Sequence, residues 1–201
     1  MKDEKQIVLF FEKNTTYNEV QLAAKLNEKF PELDSPITMP FNGQNVSSPL
    51  IVFTKGKINL TLNYNDVSFI YNRENEEEND NLFLEIMEYL EEDFSFSRLG
   101  YVTTYNHTEK ERKNFKENVF KDQRMINSEF QLSWYTESLI DSVKVNVWER
   151  HLTDMMNNVE FLSIFDINTP INEKYNINSE FVKDFLKKCD KFIKDRINDR
   201  F

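Results

Sequence analysis

From Glu74 to Asp93 the chain reads ENEEENDNLFLEIMEYLEED, ten acids without a single base. The whole 201-residue chain has a formal net charge of −10, so the remainder is electrically balanced. The second half of this stretch places Leu82, Phe83, Ile86, Met87, Leu90 and Phe94 on one side of a helix at the 3.6-residue period. Glu85, Glu88, Glu91 and Glu92 fall on the other side. A segment patterned in this way belongs at a surface, its apolar side pressed on a core and its carboxylates toward water. The rest of the chain has to supply the layer beneath it.

That layer reads as β-sheet. Residues 6–12 (QIVLFFE) form a short apolar run expected of a strand buried on both faces. Thr15 or Thr16 then caps a helix, with Glu19 at capping-box spacing from Thr16. Val20, Ala23, Leu26 and Phe30 follow the helical period, and Pro31 ends it. The Pro-rich stretch 34–49 reads as a loop with room for a brief edge strand. Three strands follow at 50–54, 57–64 and 67–72. In the second of them Ile58, Leu60, Leu62 and Tyr64 alternate inward.

The second half repeats the order. There is a strand at 98–106 and a helix capped by Thr108. Strands follow around Phe130–Glu137, Val143–Val147 and Phe161–Ile167. A last helix begins near Ser179, with Phe181, Phe185, Cys189, Phe192 and Ile193 on one stripe. The expected fold is α+β: two β-α-β-β-β-α halves, residues 1–95 and 96–201. They form antiparallel sheet in one compact unit, with helices packed on one side. The outward strand residues Asn59, Thr61, Asn63, Gln131, Ser133 and Tyr135 would line an open sheet face.

Three segments carry a resemblance: KLNEKFPEL (25–33), SRLGYVTTYN (97–106) and FLSIFDIN (161–168) before the closing helix. In these the chain resembles a sporadically distributed group of uncharacterised bacterial proteins. The resemblance implies a duplicated α+β fold and no established activity, and it supplies no catalytic residues.

Several function classes are disfavoured by the residues themselves. No stretch approaches the ~20 apolar residues of a membrane span, and the N-terminal apolar run is too short for a signal peptide. A cytoplasmic protein is expected. One cysteine excludes an internal disulfide, and Cys189 reads as a small buried hydrophobe. Two histidines and one cysteine without motif spacing make no zinc site. Three glycines cannot build a phosphate cradle, so no cofactor is expected. His107 reads as an exposed loop residue. His151 beside Asp154 is the nearest approach to an oriented base; no recognisable nucleophile accompanies it, so an enzyme of unknown type stands as the third reading, which a deep pocket collecting His151, Asp154 and another carboxylate would revive.

The acidic helix is left as the candidate site. Glu76, Glu77, Glu78 and Asp80 lie near its start, where the helix dipole favours anions. Glu85 and Glu88 follow, and Glu91, Glu92 and Asp93 lie at the end, where the dipole opposes them. Helix stability accounts for the first group alone, whereas a basic protein partner accounts for all of them through charge complementarity. The expected activity is non-catalytic binding through Glu76, Glu77, Glu78, Asp80, Glu85, Glu88, Glu91 and Glu92. An inhibitor or component in phage–bacterium conflict is the concrete setting. Basic protein partners of this kind include nucleic-acid-binding proteins whose basic channels accept an acidic ridge in place of phosphates.

A competing reading is a nucleic-acid module using the open sheet and two basic helices. Lys110, Arg112, Lys113, Lys116, Lys121 and Arg124 mark one of them. Lys183, Lys187, Lys188, Lys191, Lys194, Arg196 and Arg200 mark the other. Interleaved acids leave both only weakly positive, so long-range attraction to phosphate is missing. The same segregated charge also suits self-association, the acidic helix of one copy meeting a basic helix of another.

Overall fold

The computed structural model describes residues 3–13, 15, 17–39, 50–120, 130–154 and 159–200. Strand β1 (Glu4–Phe11) buries Lys5, Ile7, Leu9 and Phe11, while Val8 and Phe10 are only half-buried. This corrects the expectation of a strand covered on both faces: helices cover one face and the other is open. Helix α1 (Glu19–Lys29) is capped by Asn18, whose side chain accepts from the Gln21 N–H. The cap is therefore not Thr15, and Thr16 lies outside the described residues. Shifting the start moves Val20 to the outside, 59% exposed, while Leu22, Ala23 and Leu26 face the core.

Strand β2 (Ile37–Met39) is the brief edge strand, and residues 40–49 of the expected loop lie outside the described residues. Strands β3 (Leu50–Lys55), β4 (Ile58–Asn63) and β5 (Asp66–Asn72) follow. Gly56 makes the β3–β4 turn at φ +59°, a conformation that costs glycine nothing. Ile58, Leu60 and Leu62 point inward as expected. Tyr64 does not, because the strand ends at Asn63 and Tyr64 sits exposed in the turn.

Helix α2 (Glu76–Glu91) is preceded by one tight turn, Arg73–Asn75. Then come β6 (Phe96–Asn106) and α3 (Glu109–Val119), which has a complete capping box between Thr108 and Glu111. Strands β7 (Gln131–Ile140), β8 (Val143–Asp154) and β9 (Val159–Asn168) lead to α4 (Ser179–Arg200). No described helix is long and apolar enough to cross a membrane.

The nine strands form one antiparallel sheet in the order β2-β3-β4-β5-β1-β6-β9-β8-β7. The fold is α+β with an open sheet. Ile7 lies opposite both Phe69 and Tyr101, Tyr101 opposite Ile167, and Ile167 opposite Val147. Because paired residues share a face, this one row makes a continuous core floor across β5, β1, β6, β9 and β8. Onto it α2 lowers Leu82, Phe83, Ile86, Met87 and Leu90, and α4 lowers Val182, Phe185, Leu186, Cys189 and Ile193. Fully burying such side chains contributes about 1.5–3 kcal/mol each.

Gly100 in β6 faces the open side, where a Cβ would stand 2.7 Å from Asn168 Oδ1 and 3.6 Å from Val8 Cβ. Asn168 donates its amide to Asp166 across this spot. Gly100→Val is expected to displace that amide and cost about 1–3 kcal/mol in urea unfolding. A valine tolerated without loss would show that the row has slack.

Candidate functional site

The acidic residues divide into those the fold uses and those it leaves outside. Glu76 and Asp80 turn inward. Lys5 Nζ, on a residue with 0% exposure, lies 2.9 Å from Glu76, 3.0 Å from Asp80 and 3.3 Å from Asp190 of α4. Arg73 reaches Glu76 and Asp190, each at 2.8 Å. Tyr71 donates its hydroxyl to Asp80, and Tyr101 donates to Asp190 at 2.5 Å. Burial would push the Lys5 amine down, but Asp190, Asp80 and Glu76 outweigh it and raise its pKa. Burial likewise pushes Glu76 up, yet hydrogen bonds from Arg73 and Lys5 bring it down to about 2. Lys5 and Glu76 are thus both charged at neutral pH, and the cluster ties β1, β5 and β6 to α2 and α4.

Glu91 also works within the fold. It accepts from the Ser179 N–H at 2.8 Å and from the Ser179 hydroxyl at 3.2 Å, at the first turn of α4. The acid that its own helix dipole disfavours is placed at the favourable end of the neighbouring dipole. For this residue the contact with Ser179 accounts for a position that the dipole of its own helix does not. Glu78 is 3.9 Å from Lys55 and Asp93 is 3.5 Å from Lys25, exposed pairs of little energy. Glu77, Glu85, Glu88 and Glu92 are exposed, and no cation among the described residues lies within 4.0 Å of them.

Beside α2 runs a groove of about 900 Å³. Its α2 wall carries Glu76, Glu77 and Asp80, and its α4 wall carries Lys183, Lys187, Lys191 and Lys194. Leu84 and Leu186 supply apolar surface between them. The exposed lysines Lys183, Lys187, Lys191 and Lys194 make no ion pair within 4.0 Å among the described residues. Of the other basic residues singled out in the sequence, Lys116 is buried with its amine 5.2 Å from the Phe130 ring centre, and Lys188 pairs with Asp141 and Asp184. Lys121 and Arg124 lie outside the described residues.

The histidines depart furthest from expectation. His107 is buried, not an exposed loop residue, and packs at a tilt against the Phe161 ring, centroids 4.7 Å apart. Its Nε2 is 2.7 Å from Ser163 Oγ, which is also 2.7 Å from His151 Nδ1. The carboxylate beside His151 is Glu149, at 2.8 Å from Nε2, and Arg196 approaches Glu149 at 3.5 Å. With His151 Nε2 donating to Glu149, its Nδ1 accepts from Ser163, and Ser163 accepts from His107 Nε2–H. A Glu–His–Ser order resembles a hydrolytic triad in composition. Yet His151 and Ser163 have 0% exposure, and Phe115 and Phe161 lie against His151. In this arrangement buried polar groups on the core side of β8 and β9 satisfy one another.

On the open face, Tyr135 and Trp148 are 55% and 51% exposed and meet edge to face. Arg98 stacks on Phe10. Asn59, Gln131 and Ser133 are exposed there as expected, with Thr61 and Asn63 half-buried.

No protein-family model and no curated protein matches the chain.

Proposed function

We propose that this is a non-catalytic, cytoplasmic binding protein that receives a basic protein on the outer side of α2. The observation that supports the reading is the division of labour among the acids. Glu76, Asp80 and Glu91 hold the fold together, while Glu77, Glu85, Glu88 and Glu92 stand in water with no cation within 4.0 Å among the described residues. Like charges at i,i+3 and i,i+4 cost a few tenths of a kcal/mol each, a cost that no ion pair among the described residues offsets. A cationic surface meeting that row offsets it, through faster encounter and complementarity.

The partner class is a protein with a phosphate-accepting channel, and conflict between bacterium and phage is a setting in which blocking such a channel serves. We read residues 1–95 and 96–201 as a duplicated unit of the family resembled above, since β3-β4-β5-β1 and β7-β8-β9-β6 stand in mirrored order about the β1–β6 pair.

The test reverses Glu77, Glu85, Glu88 and Glu92 to Lys together and leaves Glu76, Asp80 and Glu91 in place. Proteins captured from bacterial lysate by the immobilised wild type should be basic, should elute with heparin or added salt, and should be lost from the variant. Unfolding curves of the two proteins should agree within about 1 kcal/mol, because the changed residues are exposed. Undiminished capture by the variant would contradict the proposal.

A further inference from the structure

We infer that the α2–α4 face is self-complementary and that a second copy of this chain docks on it, acidic row on lysine row. The two helices run antiparallel, as contacts at both ends fix. Glu91 sits on Ser179 at one end, and Glu76 and Asp80 meet Asp190 through Lys5 towards the other. That alignment sets the heights of the exposed charges. Glu85 and Glu88 share a recess with Ser179, Glu180 and Lys183, whereas Glu77 lies in the longer groove with Lys187, Lys191 and Lys194. Acid and lysine therefore face each other level by level, held apart by the groove.

A two-fold axis parallel to the helices, running above the groove, carries α2 of one copy over α4 of the other at unchanged height. The same rotation carries α4 over α2, so both rows are matched at once. The row of Glu77, Glu85 and Glu88 then faces the row of Lys183, Lys187 and Lys191 in the opposite copy. Half-buried Leu84 of each copy lies near the centre of the contact. The alternative two-fold axis, across the helices, stacks acid on acid and lysine on lysine, so charge alone selects between them. This occupant needs no outside protein, but it draws on the acidic row of the proposed function. The two therefore compete for that row.

Sedimentation of the full chain at about 20 mM and about 500 mM salt reads the association, since exposed charge is screened at the higher strength. The wild type is expected to dimerise at low salt, with Kd rising at least about tenfold at high salt. A triple variant with Lys183→Glu, Lys187→Glu and Lys191→Glu should be monomeric at low salt, as should one with Glu77→Lys, Glu85→Lys and Glu88→Lys. Mixing the two variants should restore a dimer, and native mass spectrometry should show one chain of each. A wild type monomeric at low salt, or a dimer unmoved by the lysine reversal, would overturn the inference. The lysine variant keeps the acidic row, so its capture of basic protein from lysate should persist. Lost capture with dimerisation intact would sink the proposed function alone, and a monomeric wild type with capture intact would sink the dimer alone.

Discussion

Replacing Lys5 with methionine lowers the free energy of unfolding by about 3–5 kcal/mol at neutral pH. The amine has three carboxylate neighbours within 3.3 Å and no contact with water. Methionine fills the volume but strands Glu76, Asp80 and Asp190 with Arg73 as their remaining cation. The pair of changes Glu76→Gln and Asp80→Asn in the Lys5→Met background should recover much of the loss, since neutral amides leave no buried charge unmatched. Urea denaturation of the single and triple variants measures both. A loss below about 1 kcal/mol for Lys5→Met would mean that water reaches the carboxylates and that the cluster does not clamp the helices to the sheet.

The second large effect is a loss of stability on mild acidification. Burial, with a further push from His151, holds His107 down at about 4 against an ordinary 6.5, and Glu111 and Asp3 only partly oppose this. Between those values the unfolded chain binds the proton and the folded chain refuses it. Stability is therefore full above pH 6.5 and falls as pH drops toward 4, by about 3 kcal/mol in all. His107→Gln, which keeps an N–H donor toward Ser163, should flatten that slope. Glu76 acts in a separate window: its folded pKa lies below the ordinary 4.5, so its contribution is present above 4.5 and disappears as pH falls toward 2. Urea midpoints measured in steps across both windows distinguish them. An unchanged slope in His107→Gln would assign the mild-acid loss elsewhere.

The layer architecture was legible because alternation and helical period are local properties. Ile58, Leu60 and Leu62 or Phe185, Cys189 and Ile193 announce their buried side without knowledge of any neighbour. The polar interior was harder to read because its logic is non-local. Lys5 keeps step with Ile7, Leu9 and Phe11, and Glu149 and His151 continue the inward series of Val143, Val145 and Val147. The period alone therefore carried a signal that these charged residues point inward. What they meet there comes from strands and helices tens of residues away, and spacing cannot give that. The same limit applies to α2. Its periodicity separates apolar from acidic sides, but only the packing of β1 and α4 assigns Glu76, Asp80 and Glu91 to the fold and leaves Glu77, Glu85, Glu88 and Glu92 outside.

Zero-length carbodiimide coupling, which joins a carboxylate directly to a lysine amine, tests that outward role at the level of single residues. Applied to the protein with its captured basic partner and read by peptide mass spectrometry, it should give linkages from Glu77, Glu85, Glu88 and Glu92 to partner lysines, and none from Glu76 or Asp80. Linkages confined to acids of the open sheet face, such as Asp166 or Glu137, would show that the partner docks there and that the acidic row of α2 is a solvated surface and nothing more.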